Sequence, residues 1–128
     1  MNRMATENYP PLTLHREGEG RRALITGLRG FTGRYLAQQL TDAGYRVFGT
    51  VVPGEEGGPD LFTVDLCDRA AVAAMVAQVQ PDVVAHLAGI AFVAHANAEL
   101  IYRVNVVGTR NLLEALAGAA HKPSAVLL

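Results

Sequence analysis

The sequence predicts a doubly wound α/β fold built on a parallel sheet, and three observations carry that expectation. Short apolar runs alternate with stretches of helical length and helical periodicity, the pattern of strands joined by right-handed helical crossovers. A turn with three glycines, Gly27-Leu-Arg-Gly-Phe-Thr-Gly33, separates the first apolar run from the first helical stretch. The chain has 128 residues, 50% of them hydrophobic, which suffices for one domain core and not for two.

The elements follow in order. Residues 1–20, with Pro10-Pro11 and scattered polar side chains, show no period and read as a flexible extension ahead of a domain at 21–128. Ala23 to Thr26 is the first strand. Phe31 to Ala43 is the first helix, with Leu36, Leu40 and Ala43 on one face and Gly44 as its terminal cap. Tyr45 to Val52 is apolar and β-branched enough for a strand buried on both faces, ended by Pro53. After a loop over 54–60, Leu61 to Val64 is the third strand, and Asp68 caps a helix from Arg69 to about Val79. Asp82 to Leu87 is the fourth strand. A long helix spans Ala98 to Ala117, with Leu100, Val104, Leu112 and Leu116 predicted on one buried face. Ser124 to Leu128 opens a fifth strand, within which the sheet is expected to be truncated.

Composition excludes several function classes. A net charge of −1 with 18% charged residues argues against nucleic acid as a partner. No apolar run reaches membrane-spanning length and the N-terminus lacks a signal-like core, so the chain is expected to be cytoplasmic, with no membrane partner. Cys67 is the only cysteine, which rules out an intrachain disulfide and reads as a small half-buried residue. His86 reads as a satisfied core histidine, and His95 has no second ligand nearby in sequence, so no metal site is expected.

The glycine turn carries the chemistry. A strand that turns directly into a helix leaves amide N–H groups unpaired at the positive end of the helix dipole, which suits a pyrophosphate. Gly27 is expected to permit the tight turn, Gly30 to remove a side chain where phosphates approach, and Gly33 to let helix and strand pack closely. The spacing is G-x-x-G-x-x-G, and on its own it is consistent with either a dinucleotide site or a tight turn.

With its context, the turn carries a resemblance. Thr26-Gly-Leu-Arg-Gly-Phe-Thr-Gly33 resembles the T-G-x-x-G-F-x-G loop of the extended short-chain dehydrogenase/reductases, the NAD(P)-dependent epimerases, dehydratases and reductases of nucleotide-sugars. Asp65-Leu-Cys-Asp68, His86-Leu-Ala-Gly89 and the run from Tyr102 through Asn105 to Ala115 resemble three further motifs of that family in the same order. Within it, Ala23 to Thr50 is most similar to GDP-4-keto-6-deoxy-mannose reductases. The resemblance implies a Rossmann-type domain with NAD or NADP on the glycine loop, through Gly27, Arg29, Gly30, Phe31, Thr32 and Gly33. It further implies that Asp65 accepts from the adenine amino group beside the Leu66 backbone. Leu87, Ala88 and Gly89 would lie against ribose and pyrophosphate, and Asn105 would order backbone and water near the nicotinamide. It also implies a nucleotide-sugar as the substrate of a longer parent enzyme and a homodimer formed through the long helix.

The departures are specific. Val51 and Val52 stand where an acidic residue would meet the NAD ribose, and Arg29, within reach of a 2′-phosphate, tilts the expectation toward NADP. Ile90 and Ala91 replace the Gln and Ser common in the family. The family's Tyr-x-x-x-Lys pair is absent: the only lysine is Lys122, and Thr13, Gln39, Gly49 and Val106 follow the four tyrosines at that spacing. Three readings therefore stand side by side. The chain is the cofactor-binding part of a nucleotide-sugar enzyme and inactive alone, or a non-catalytic dinucleotide sensor that presents a partner surface, or a fragment without function.

Overall fold

Continuous apolar runs become strands because both faces of the sheet are covered. The computed structural model describes residues 17–89 and 97–128. In β1 (Arg22–Thr26), Ala23, Leu24, Ile25 and Thr26 are all at most 1% exposed. β2 (Arg46–Val51), β3 (Leu61–Thr63), β4 (Val83–His86) and β5 (Ala125–Leu127) all run parallel to it, in the order β3-β2-β1-β4-β5. Leu24 stands opposite Phe48 on one side and Val84 on the other, so a single row of side chains crosses the centre of the sheet.

The helices end where local chemistry stops them. α1 (Phe31–Asp42) closes in a Schellman motif: Gly44, at φ +98°, donates to the Thr41 carbonyl while Tyr45 donates to that of Leu40. α2 (Arg69–Val79) starts at Asp68, whose carboxylate accepts the Ala71 amide at 3.1 Å, and stops at Gln80 in a left-handed conformation before Pro81. Val72, Met75, Val76 and Val79 of this helix pack onto Leu24, Phe48 and Val84. α1 packs against β1 and β2, on the opposite face, which Ala23 and Ile25 share by alternation.

The stretch expected as one long helix is broken in phase. α3 (Ala98–Tyr102), capped by Asn97, leads into a π-helical turn (Arg103–Val107) and then α4 (Gly108–Gly118). The Gly108 amide donates to the Arg103 carbonyl five residues back, so the turn holds one residue more than an α-helix would. The spacing of four therefore fails across it: Leu112 and Leu116 are buried in the core, whereas Leu100 is 49% exposed and Val104 is outside the core cluster. Gly108 seats this turn on the sheet side, since a Cβ there would lie 3.2 Å from that of Leu66.

The strand expectations otherwise hold to within two residues at each end, and the fifth strand forms as Ala125–Leu127 beside β4. Glu17–Gly20 is a turn whose Gly18 amide donates to the Ala43 carbonyl. Residues 1–16 of the expected extension, together with Ile90, Ala91 and His95, lie outside the described residues.

Candidate functional site

The order of the strands places a crevice before any side chain is considered. β1 is followed in space by β2 on one side and β4 on the other, so the chain reverses its direction of travel between β1 and β4. Ligands of doubly wound sheets bind at the carboxyl ends of the strands at such a point. The glycine turn leaves β1 there.

Gly27 has φ +68°, and a Cβ on it would lie 2.9 Å from the Ala88 backbone, so both conformation and space require glycine. Gly33 is buried, and its missing Cβ would meet the carbonyl oxygens of Gly27 and Leu28 at 2.5 and 2.6 Å. It thus lets the helix pack closely on the turn that leaves β1. Gly30 differs from both. Its backbone is extended (φ −65°, ψ 166°), and a Cβ would meet only the Gly27 carbonyl, at 3.3 Å. The fold itself makes little demand for glycine at that position.

Side chains from β2 hold the turn. The Gly27 amide donates to Thr50 Oγ1 at 3.1 Å and the Leu28 amide to the Thr50 carbonyl at 3.3 Å. The Leu28 side chain occupies the space that a Cβ on Gly49 would fill. α1 begins at Gly30 without a side-chain cap, and the amides of Phe31 and Thr32 meet no acceptor among the described residues. Phe31 is 92% exposed.

A cleft of about 150 Å³ opens beside the turn. It gathers six of the sequence-predicted residues, Gly27, Arg29, Asp65, Leu66, Ala88 and Gly89. Gly30, Phe31, Thr32, Gly33, Leu87 and Asn105 do not line it. Asp65 is fixed by the Cys67 amide, which donates to its Oδ1 at 2.9 Å, and the Leu66 carbonyl accepts from Asn111 Nδ2 at 2.9 Å. Leu87 and Ala88 donate their amides to Thr26 Oγ1 at 3.0 and 3.1 Å. Asn105 Oδ1 lies 3.0 Å from the point where Gly89 would carry a Cβ. A second cleft of about 350 Å³ between α2 and α4 is larger, but it holds none of the turn and its charges are already paired, Arg69 with Glu114 at 3.4 Å.

Thr50, Glu55 and Val104 are among the site residues that the sequence reading did not place at the site, with Pro53 and Val64 beside them in the lining. Thr50 anchors the turn, and its signal was a buried hydroxyl in an otherwise apolar strand. Glu55 lines the cleft with Oε1 accepting the Val52 amide at 3.1 Å, which supplies a carboxylate three residues after the valines. Val104 reaches the cleft from the π turn. His86 is buried as expected, with Nδ1 2.7 Å from Thr26 Oγ1 and Nε2 2.8 Å from Thr109 Oγ1. Burial pushes its imidazole below the usual histidine range.

A profile of the NAD dependent epimerase/dehydratase family matches residues 23–127. The chain belongs to this family. Among epimerase/dehydratase relatives, it is 36% identical over 94 residues to a GDP-6-deoxy-D-talose 4-dehydrogenase of Aggregatibacter actinomycetemcomitans, covering 73% of this chain and 29% of that protein. It is 36% identical over 107 residues to a dTDP-glucose 4,6-dehydratase of Neisseria gonorrhoeae, covering 72% and 31%. Among solved structures, the UDP-glucose 4-epimerase of Thermus thermophilus in complex with NAD matches with a TM-score of 0.66 at 32% identity, covering 73% of this chain and 33% of that one. The epimerase/dehydratase chain therefore spans about a third of the length of the relatives it matches, and its fold matches that part of the solved structure. Among the described residues no helix is long and apolar enough to cross a membrane.

Proposed function

We propose that this chain is the cofactor-binding portion of a nucleotide-sugar epimerase, dehydratase or reductase, with the pyrophosphate of NAD or NADP held at the start of α1. The observation that carries this is Gly30. Its backbone angles do not demand glycine and its one tight neighbour, the Gly27 carbonyl at 3.3 Å, demands it far less than the contacts of the two glycines on either side. An absent side chain beside uncapped amides is what a close-approaching phosphate needs. Asp65, held by the Cys67 amide at the cleft, is proposed to accept from the adenine amino group, and Asn105 to serve the nicotinamide end. When bound, the cofactor supplies hydride transfer at its nicotinamide ring. The residues here orient it, and the tyrosine–lysine pair that would move the proton is absent from these 128 residues. The sole lysine, Lys122, donates to the Ala117 carbonyl away from the cleft. A homodimer is proposed through the long helix, where Tyr102, Val106 and Leu113 are exposed.

The choice between NAD and NADP is proposed to rest on two side chains at the cleft. Arg29 would pair with a 2′-phosphate and tilts the choice to NADP, while the Glu55 carboxylate would oppose it. Titration of the purified chain with NADH and NADPH, followed by fluorescence, tests the proposal. Binding is expected. Gly30→Val is expected to abolish it with helical content unchanged, and Arg29→Ala to weaken NADPH more than NADH. Absence of binding to either nucleotide, or an unchanged affinity in Gly30→Val, would remove the loop from the phosphate site.

A further inference from the structure

A chain of hydrogen bonds runs from the end of β1 to the π turn, and donor counting gives each link one direction. Thr26 Oγ1 accepts from two backbone amides, those of Leu87 at 3.0 Å and Ala88 at 3.1 Å. The Leu87 amide is shared with the Thr26 carbonyl at 3.2 Å, and the direction is set from the other end: the Thr109 proton goes to the Asn105 carbonyl, so Thr109 Oγ1 accepts from His86 Nε2 and the Thr26 proton goes to His86 Nδ1 at 2.7 Å. Nδ1 is therefore the acceptor, and the neutral ring carries its proton on Nε2. That N–H donates to Thr109 Oγ1 at 2.8 Å, and the Thr109 hydroxyl in turn donates to the Asn105 carbonyl at 2.7 Å. Thr26 is 0% and His86 8% exposed, so little water competes for the bond between them.

The far end of the chain is the element whose geometry departs from an α-helix. Asn105 is the middle residue of Arg103–Val107, and its side-chain oxygen lies against Gly89, which lines the cleft. The turn is held from the opposite side as well, where Cys67 Sγ donates to the Arg103 carbonyl at 3.4 Å.

We infer that His86 is a positioning residue, which through Thr109 sets the π turn so that Asn105 is held beside Gly89 at the mouth of the cleft. A histidine that merely filled the core would need neither one tautomer nor a hydroxyl at 109. The same hydroxyl of Thr26 pins Leu87 and Ala88, so one chain of bonds ties the ends of β1 and β4 to the middle of the π turn. The consequence for ligand affinity rests on the cofactor site proposed above; the coupling of His86 to Asn105 does not.

Nitrogen NMR of the ¹⁵N-labelled chain is expected to show His86 protonated on Nε2 and unprotonated on Nδ1. Thr109→Val keeps the side-chain shape and removes the hydroxyl. It is expected to shift the Asn105 side-chain amide resonances, leave the amides of Gly27 and Gly30 in place, and weaken NADH binding about tenfold, with Thr109→Ser restoring both properties. A proton on Nδ1, or Asn105 resonances unmoved by Thr109→Val, overturns the inference. If the wild-type chain does not bind NADH, the cofactor reading fails by itself, and the tautomer and the Asn105 resonances still decide the role of His86.

Discussion

Gly27 and Gly33 are glycines that the fold needs, whereas Gly30 is one that it tolerates, and the difference is measurable. Gly27→Ala puts a methyl group against the Ala88 backbone at a residue with φ +68°. It is expected to cost about 2–4 kcal/mol, from left-handed strain and overpacking together. Gly30→Ala, whose only close neighbour is the Gly27 carbonyl at 3.3 Å, is expected to cost about 1 kcal/mol or less. Urea midpoints of the two variants check the contrast, and equal losses would contradict it. At this scale, the residues legible in the sequence are those whose partners are near in sequence. Asp68 could be named as a cap because its carboxylate and the Ala71 amide are three residues apart. Thr50 could not, because the amide it accepts is that of Gly27, 23 residues away. Only the register of β1 against β2 brings the two together. Glu55 escaped for a related reason: position along the chain pointed to Val51 and Val52, but a loop folded back on Val52 brings in a carboxylate from further on.

Among the elements, the π turn is the one that periodicity concealed. Leu100, Val104, Leu112 and Leu116 fit a spacing of four, and nothing local in that stretch announces an added residue. The departure is supported from outside the stretch by Leu66 under Gly108 and Cys67 on Arg103, and within it by the Thr109 hydroxyl on Asn105. The connection into β5 is held by tertiary bonds in the same way. Asp82, just ahead of β4, accepts the Arg22 amide at 2.8 Å and faces His121 Nε2 at 2.7 Å, and its backbone carbonyl accepts the Ser124 amide at 2.7 Å. The Arg22 amide foremost, and then His121, hold the Asp82 carboxyl below the usual carboxylate range. Its folded value lies below its unfolded one, so its contribution to stability is present above the unfolded value and is lost as pH falls through the folded one. Asp82→Asn is therefore expected to lower the thermal midpoint at neutral pH, with the gap to wild type narrowing from about pH 5 downward. A gap that stays constant down to about pH 3 would show that the clasp is not ionic.

For the whole molecule, alternation of runs was enough to anticipate a parallel sheet and a crevice beside the first strand. It did not show how little of the glycine turn lines that crevice. Gly30, Phe31, Thr32 and Gly33 stand outside its lining. A cofactor held there would be held by the folded state alone, so binding must raise stability. At a ligand concentration about 100 times its dissociation constant the gain is about 2.7 kcal/mol. For a domain of this size that corresponds to a rise of roughly 10 °C in thermal midpoint. A melting curve with and without NADH reads it directly, and coincident curves at saturating ligand would argue against a site on the native sheet.

The Leu28 side chain fills the place of a side chain on Gly49, its amide is held by Thr50, and Gly27 abuts Ala88. The turn is thus keyed to the ends of three strands by contacts within the chain. A dinucleotide bound there, as proposed, would lose little binding energy to ordering the backbone that receives it. A turn fixed in this way is expected to serve as a preformed cradle and not as a lid, so variants that loosen it should act mainly on how fast a bound dinucleotide leaves.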